Sequence, residues 1–99
     1  MAYAIQFAES VTDHFRWLTA SERTRVLGAI VRQLIHQPLV ETRNRQPLRP
    51  NPLAPWELRV GTLRVFYEVL SEDPELVRVL AVGKKQRNVL LIAGQEIKL

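Results

Sequence analysis

The sequence predicts an α+β fold: two N-terminal helices packed on one face of a twisted, mostly antiparallel sheet of four or five strands. Three observations predict it. Apolar residues recur at helical spacing in two segments ahead of Pro38, they alternate in twos from Trp56 to Val69, and 99 residues suffice for one modest core. Residues 1–99 therefore read as a single domain.

In chain order, Tyr3, Ile5 and Phe7 alternate with Ala4 and Gln6, a short first strand with one buried face. Val11, Phe15 and Leu18 then predict a short helix over 8–18. Thr19 and Glu22 have the spacing of a capping box, in which each side chain satisfies a backbone amide of the first turn, so a second helix starts there. Val26, Leu27, Ile30, Val31, Leu34 and Ile35 mark its apolar stripe, Arg25, Arg32 and His36 fall on the other side, and Pro38 stops it. Residues 38–55 hold five prolines and three arginines without apolar periodicity and predict an extended loop. Loops this long in a small domain are more often functional or disordered than accidental.

From Trp56 the pattern is two-fold. Leu58 and Val60, then Leu63, Val65, Tyr67 and Val69, alternate with polar or aromatic neighbours around Gly61-Thr62, the glycine-first pair of a type II′ hairpin turn. Residues 71–75 predict the next turn, and 76–82 a third strand apolar enough to be buried on both faces. The tail, with Val89 to Ala93, Gly94 and Glu96 to Leu99, reads as one more strand or a short hairpin, with a short helix as the alternative. No helix is left over for the second sheet face, which is expected to meet solvent or a partner.

Composition excludes several classes of function. Without cysteine there is no disulfide framework, zinc ribbon or thiol nucleophile. No run approaches the roughly 18 apolar residues of a membrane span, and the N-terminus lacks a basic segment followed by an apolar one, so the expected compartment is the cytoplasm. His14 and His36 lie on separate helices with no partner at metal spacing, and no metal or cofactor is expected. Trp17 and Trp56 read as core or groove anchors. Gly83-Lys84-Lys85 lacks a phosphate-cradling loop, and Ser10, Ser21 and Ser71 have no histidine placed to activate them.

The formal net charge of +4 is unevenly spread. Residues 1–42 and 65–99 each balance, so the whole excess lies in 43–64, where Arg43, Arg45, Arg49, Arg59 and Arg64 face only Glu57. Arginine's planar fork suits phosphate and keeps its charge at any working pH. If Gly61-Thr62 is a two-residue loop, Val60 pairs with Leu63 and Arg59 directly opposes Arg64, a repulsive pair unless something anionic compensates. Glu57, two residues from Arg59 on the same side, is placed to do so. Pairing Leu70 with Leu76 brings Lys84 and Lys85 beside the same turn, so Arg59, Arg64, Lys84, Lys85 and Arg87 are expected to converge at one edge of the open face. Such a cluster suits a phosphodiester, because fixed cations stabilise the extra negative charge of a phosphorane-like transition state. The alternative is a solvated face whose charges pair with Glu57 and Glu68.

Residues 2–7 followed by two helices, the block Trp56-Glu57-Leu58-Arg59-Val60-Gly61-Thr62-Leu63-Arg64-Val65-Phe66-Tyr67-Glu68-Val69, and Ala81-Val82-Gly83-Lys84-Lys85 resemble the RelE/ParE toxins of bacterial type II toxin-antitoxin modules. The resemblance covers nearly the whole chain, and the central block is its specific part. It implies either a RelE-like endoribonuclease that cuts messenger RNA on the ribosome or a ParE-like inhibitor of DNA gyrase, each silenced by a cognate antitoxin. It places Arg64 on the cleaved phosphate and keeps charge at Arg59 and Lys85, where RelE has a lysine and an arginine. Glu57 stands where RelE has a lysine, and Val89, Leu90 and Leu91 where RelE-like nucleases offer a tyrosine or histidine.

The expected function is thus a RelE-like toxin that inhibits translation, with the substrate 2′-hydroxyl as nucleophile. The expected catalytic set is Arg64, Arg59, Lys85 and Glu57, with Glu57 as base; the expected RNA contacts are Lys84, Arg87, Arg45 and Arg49. The expected partners are an antitoxin, the ribosome and messenger RNA. The alternatives are gyrase inhibition and a non-catalytic module that binds RNA or an antitoxin.

Overall fold

The computed structural model describes residues 2–70 and 75–99. The turn expected at 71–75 lies, but for Glu75, outside them. The elements run β1 (Ala4–Phe7), α1 (Val11–Arg16), α2 (Ala20–Leu34), β2 (Arg45–Pro47), β3 (Trp56–Val60), β4 (Leu63–Leu70), β5 (Leu76–Gln86), β6 (Val89–Ile92) and β7 (Gln95–Ile97).

The α+β class holds, but among the described residues the sheet has seven strands where four or five were expected. Six lie in the order β2-β3-β4-β5-β6-β7, each antiparallel to the next. β1 pairs in parallel with the first half of β5, from Ala4 opposite Leu76 to Phe7 opposite Val79. The tail takes the hairpin form of the two offered, β6 and β7 around Gly94, and the unexpected strand is β2 inside the expected loop, three residues long and too short for a two-fold pattern to register.

Thr19 caps α2 as its spacing predicts. Its hydroxyl accepts from the Glu22 amide at 3.1 Å, and its own amide donates to Glu22 Oε1 at 2.9 Å. α1 is a short stretch of six residues whose end is held from outside, where Arg23 Nη1 donates to the carbonyls of Phe15 (3.2 Å) and Leu18 (2.8 Å). His14 Nδ1 accepts from the Val82 amide at 3.2 Å and ties α1 to β5. Burial lowers the pKa of His14, with Asp13 partly offsetting it, which favours the neutral ring that this bond requires.

Both helices contribute to one core, although Leu27 and Val31 of the expected apolar stripe of α2 stay exposed, and Leu18 enters it from just beyond α1. Val11, Leu18, Val26, Ala29, Ile30 and Leu34 pack with Leu58, Leu63, Val65, Tyr67, Val77, Val79 and Val82. The other face is not bare, contrary to expectation. Phe66, Ala81, Leu90 and Ile92 form a second small core there, covered by Leu48, Leu53 and Ala54 of the long loop and by Ile97. Phe66 is fully buried, and its ring needs apolar cover that no helix supplies on this side.

The loop is anchored. Tyr67 O–H donates to the Pro38 carbonyl at 2.7 Å, and burial raises the pKa of that phenol. Asn51 bonds through both amide atoms, Oδ1 accepting from the amides of Leu53 and Ala54 and Nδ2 donating to the carbonyls of Arg49 and Ala54.

One irregularity decides which side chains reach which face. Tyr67 pairs with Val79 but Phe66 with Ala81, so Leu80 is an extra residue, a β-bulge in β5. Beyond it Val82, not Ala81, joins the helix-side core. All side chains of β5 after the bulge are therefore turned over relative to a straight continuation.

Candidate functional site

The site is built on the β3–β4 hairpin. Val60 pairs with Leu63 and Arg59 with Arg64, the register the sequence predicts, and Gly61 takes φ +62 at the turn, where a side chain on Cβ would be strained. Arg59 and Arg64 consequently lie side by side on the face away from the helices.

Glu57 sits between them. Its Oε1 is 3.2 Å from Arg64 Nε and its Oε2 3.5 Å from Arg59 Nε. The environments of the two arginines differ. Arg59 keeps 43% of its side chain exposed, whereas Arg64 keeps 12%. Arg64 Nη1 donates to the carbonyls of Gly61 (2.8 Å) and Leu63 (2.9 Å), while its Nε, despite the close carboxylate, has no hydrogen-bond partner. Burial lowers the pKa of Arg64, Glu57 opposes that, and Arg59 adds to it. An arginine so placed still carries its charge at any working pH.

The bulge separates the two lysines. Lys84 pairs with Leu63 on the helix-covered face, and its Nζ reaches Glu22 Oε1 at 3.1 Å and Oε2 at 3.3 Å. The Thr19 backbone amide is the main cause of the lowered pKa of Glu22; Lys84 lowers it further and burial opposes. Lys85 falls on the other face, exposed, its backbone amide donating to the Thr62 carbonyl at 2.7 Å. The expected convergence is therefore corrected: Lys85 joins the arginines, and Lys84 is turned away by the extra residue Leu80.

A groove of about 390 Å³ follows, lined by Glu57, Arg64 and Lys85 on one side and by Asn88, Leu90 and Leu99 among those on the other. Arg87 is exposed in the β5–β6 turn, where Arg87 and Asn88 take φ of +52 and +67; it lines a neighbouring depression with Thr62 and Lys85. Arg49 is exposed on the long loop and lines a depression that shares Leu99 with the groove. Arg45 does not belong to this surface. It is 7% exposed, its Nε donates to the Val40 carbonyl (3.0 Å), and its Nη1 to the carbonyl (2.8 Å) and Oε1 (3.0 Å) of Gln33, so it fastens the loop to α2.

Sequence reasoning missed the second wall of the groove. The signal was in the tail: Ala93-Gly94, at φ +51 and +76, closes a β6–β7 hairpin that folds Ile97, Lys98 and Leu99 over the cations. Leu91 pairs with Lys84, so the residues that meet the groove at this point are Val89 and Leu90. A separate cleft of about 230 Å³, lined by Trp17, His14, Leu18 and Leu91, lies against α1 and contains none of the arginines. Among the described residues, no three His, Cys, Asp or Glu side chains converge as a metal site would need.

A mostly antiparallel sheet covered by helices on one face carries on the other two opposed arginines, Glu57 and Lys85, beside a groove that Glu96 and Lys98 also line: the class is a small α+β domain with a charged groove. One solved structure with this fold is the toxin-antitoxin complex RelBE2 from Mycobacterium tuberculosis. A chain of it matches at a TM-score of 0.72 and 22% identity, over 86% of this chain and 100% of that one. The likeness is one of fold: this chain has the RelE-type fold that the sequence resemblance implies. No protein-family model and no curated protein matches the sequence. No helix of the described residues is long and apolar enough to cross a membrane.

Proposed function

We propose that this chain is the toxin of a type II toxin-antitoxin pair in the RelE/ParE superfamily, acting as a RelE-like endoribonuclease on messenger RNA in the ribosome. The observation that carries the reading is the opposed pair Arg59 and Arg64 sharing Glu57, with Arg64 lining one groove together with Lys85 from a distant strand. Fixed cations in a partly dry groove stabilise a phosphodiester whose charge grows as the substrate 2′-hydroxyl attacks. Arg59, with its exposed guanidinium, and Lys85 meet the phosphate first. Arg64, held by two turn carbonyls, presents the remaining edge of its fork. Arg87 and Arg49 extend the positive surface along an RNA backbone.

Support for a protein partner comes from α2, where Leu27 and Val31, one turn apart, are 45% and 57% exposed, and from Trp17 at 60%. Exposed apolar groups of this kind suit an antitoxin that also covers the cations.

Inducible expression tests the reading. Growth should stop, translated messages should show codon-phased cuts, and Arg59→Ala with Arg64→Ala should abolish both. One observation favours a second reading: among the described residues the groove has no histidine or tyrosine to take the 2′-hydroxyl proton. Growth arrest with intact messages and inhibited gyrase supercoiling would support a ParE-like activity instead. Absence of any growth effect would leave a non-catalytic binding module.

A further inference from the structure

Glu57 was expected as a base, yet its surroundings fit another role. Its side chain is 11% exposed, and its carboxylate is spread across two guanidinium groups, 3.2 Å from one and 3.5 Å from the other. It is fitted to neither as a two-pronged salt bridge would be, since the Nε of Arg64 makes no hydrogen bond. Arg59 and Arg64 oppose each other on adjacent strands, where like charges repel. A carboxylate shared this way holds the pair together when no other anion is present.

We propose that Glu57 is a resident counter-ion of the arginine pair, against which an incoming phosphodiester competes, so that Glu57 sets the affinity of the groove for oxyanions without touching the reacting atoms. This rests on reading the groove as a phosphate site. A carboxylate and a phosphodiester each carry one negative charge, so in the ground state they compete for the arginines on nearly even terms. A phosphorane-like species carries more charge and wins them. Displacing Glu57 costs the ground state and the transition state alike, so the carboxylate tunes the groove's affinity for oxyanions and not the chemical step.

The experiment uses the full chain, a fluorescent 2′-O-methyl oligoribonucleotide that cannot be cleaved, and thermal unfolding with and without sulfate. Glu57→Gln should bind the oligonucleotide about tenfold more tightly, the scale set by one charge at contact distance in a partly solvated site. It should also unfold at a lower temperature than wild type and recover more than wild type does when sulfate is added. Glu57→Asp, which keeps the charge, should stay near wild-type affinity, and Glu57→Gln with Arg59→Gln should lose the gain. A folded Glu57→Gln that binds no tighter and gains no more from sulfate than wild type overturns the proposal. If wild type and Arg59→Gln with Arg64→Gln bind equally, the phosphate-site reading fails first and takes this proposal with it.

Discussion

Lys84 and Lys85 are neighbours in sequence with opposite fates, and replacing each by alanine separates them. Lys84 and Glu22 keep 23% and 19% of their side chains exposed, so their pair is only partly screened by solvent. Its loss should cost about 1 kcal/mol, the upper end of what exposed pairs contribute. In a domain of this size that lowers the midpoint of thermal unfolding by roughly 4–8 °C. Among the described residues Lys85 makes no comparable tie, and Lys85→Ala should stay within about 0.5 kcal/mol of wild type, as surface substitutions do. Binding should show the reverse. Against a single-stranded oligoribonucleotide, each phosphate contact contributes about 0.7 to the slope of log affinity against log salt. Lys85→Ala should reduce that slope by about this amount and Lys84→Ala should leave it unchanged. Fluorescence titrations at several salt concentrations, beside melting curves, measure both. Equal loss of slope in the two variants, with no drop in melting temperature for Lys84→Ala, would refute the bulge as the device that assigns the lysines to faces.

Other substitutions probe the rest of the frame. Arg45→Ala leaves the carbonyls of Gln33 and Val40 unpaired in a buried setting and should cost about 2–4 kcal/mol in chemical denaturation. Tyr67→Phe removes one bond to the Pro38 carbonyl and should cost about 1–2 kcal/mol by the same measurement. Because burial depresses His14, the unfolded chain takes up that proton first. The stability owed to the neutral ring is complete above the ordinary value of 6.5 and is lost as pH falls through the lower folded value, so melting temperature should decline below that pH, less steeply in His14→Gln. Gly83→Ala should fold poorly in expression and melting tests, since its Cβ would stand 2.4 Å from the Leu91 carbonyl oxygen and 2.8 Å from Ile92 Cγ1.

What was legible in the sequence was whatever has a local period or a local cap. The Thr19 to Glu22 box, the apolar stripe of α2 and the alternation around Gly61-Thr62 fix α2, the hairpin and the facing arginines, because each rests on contacts within a few residues. The opposition of Leu70 and Leu76 was also readable from the spacing of the two strands. The bulge at Leu80 was not: Val79, Leu80, Ala81 and Val82 are all apolar, so the run conceals which of them is the extra residue, and the lysine beyond it was placed on the wrong face. Arg45 read as a loop cation because its partners, Gln33 and Val40, are chosen by the path of the loop and not by spacing. The cover over Phe66 was hidden for the same reason, as Leu48, Leu53 and Ala54 have no period.

Mapping the ends of translated messages after inducing the chain, beside the Arg59→Ala, Arg64→Ala double variant, tests the central claim most directly. The account predicts codon-phased cuts with the wild-type chain and none with the variant at equal protein level. Growth arrest that persists in the variant, or arrest without cuts, would contradict it.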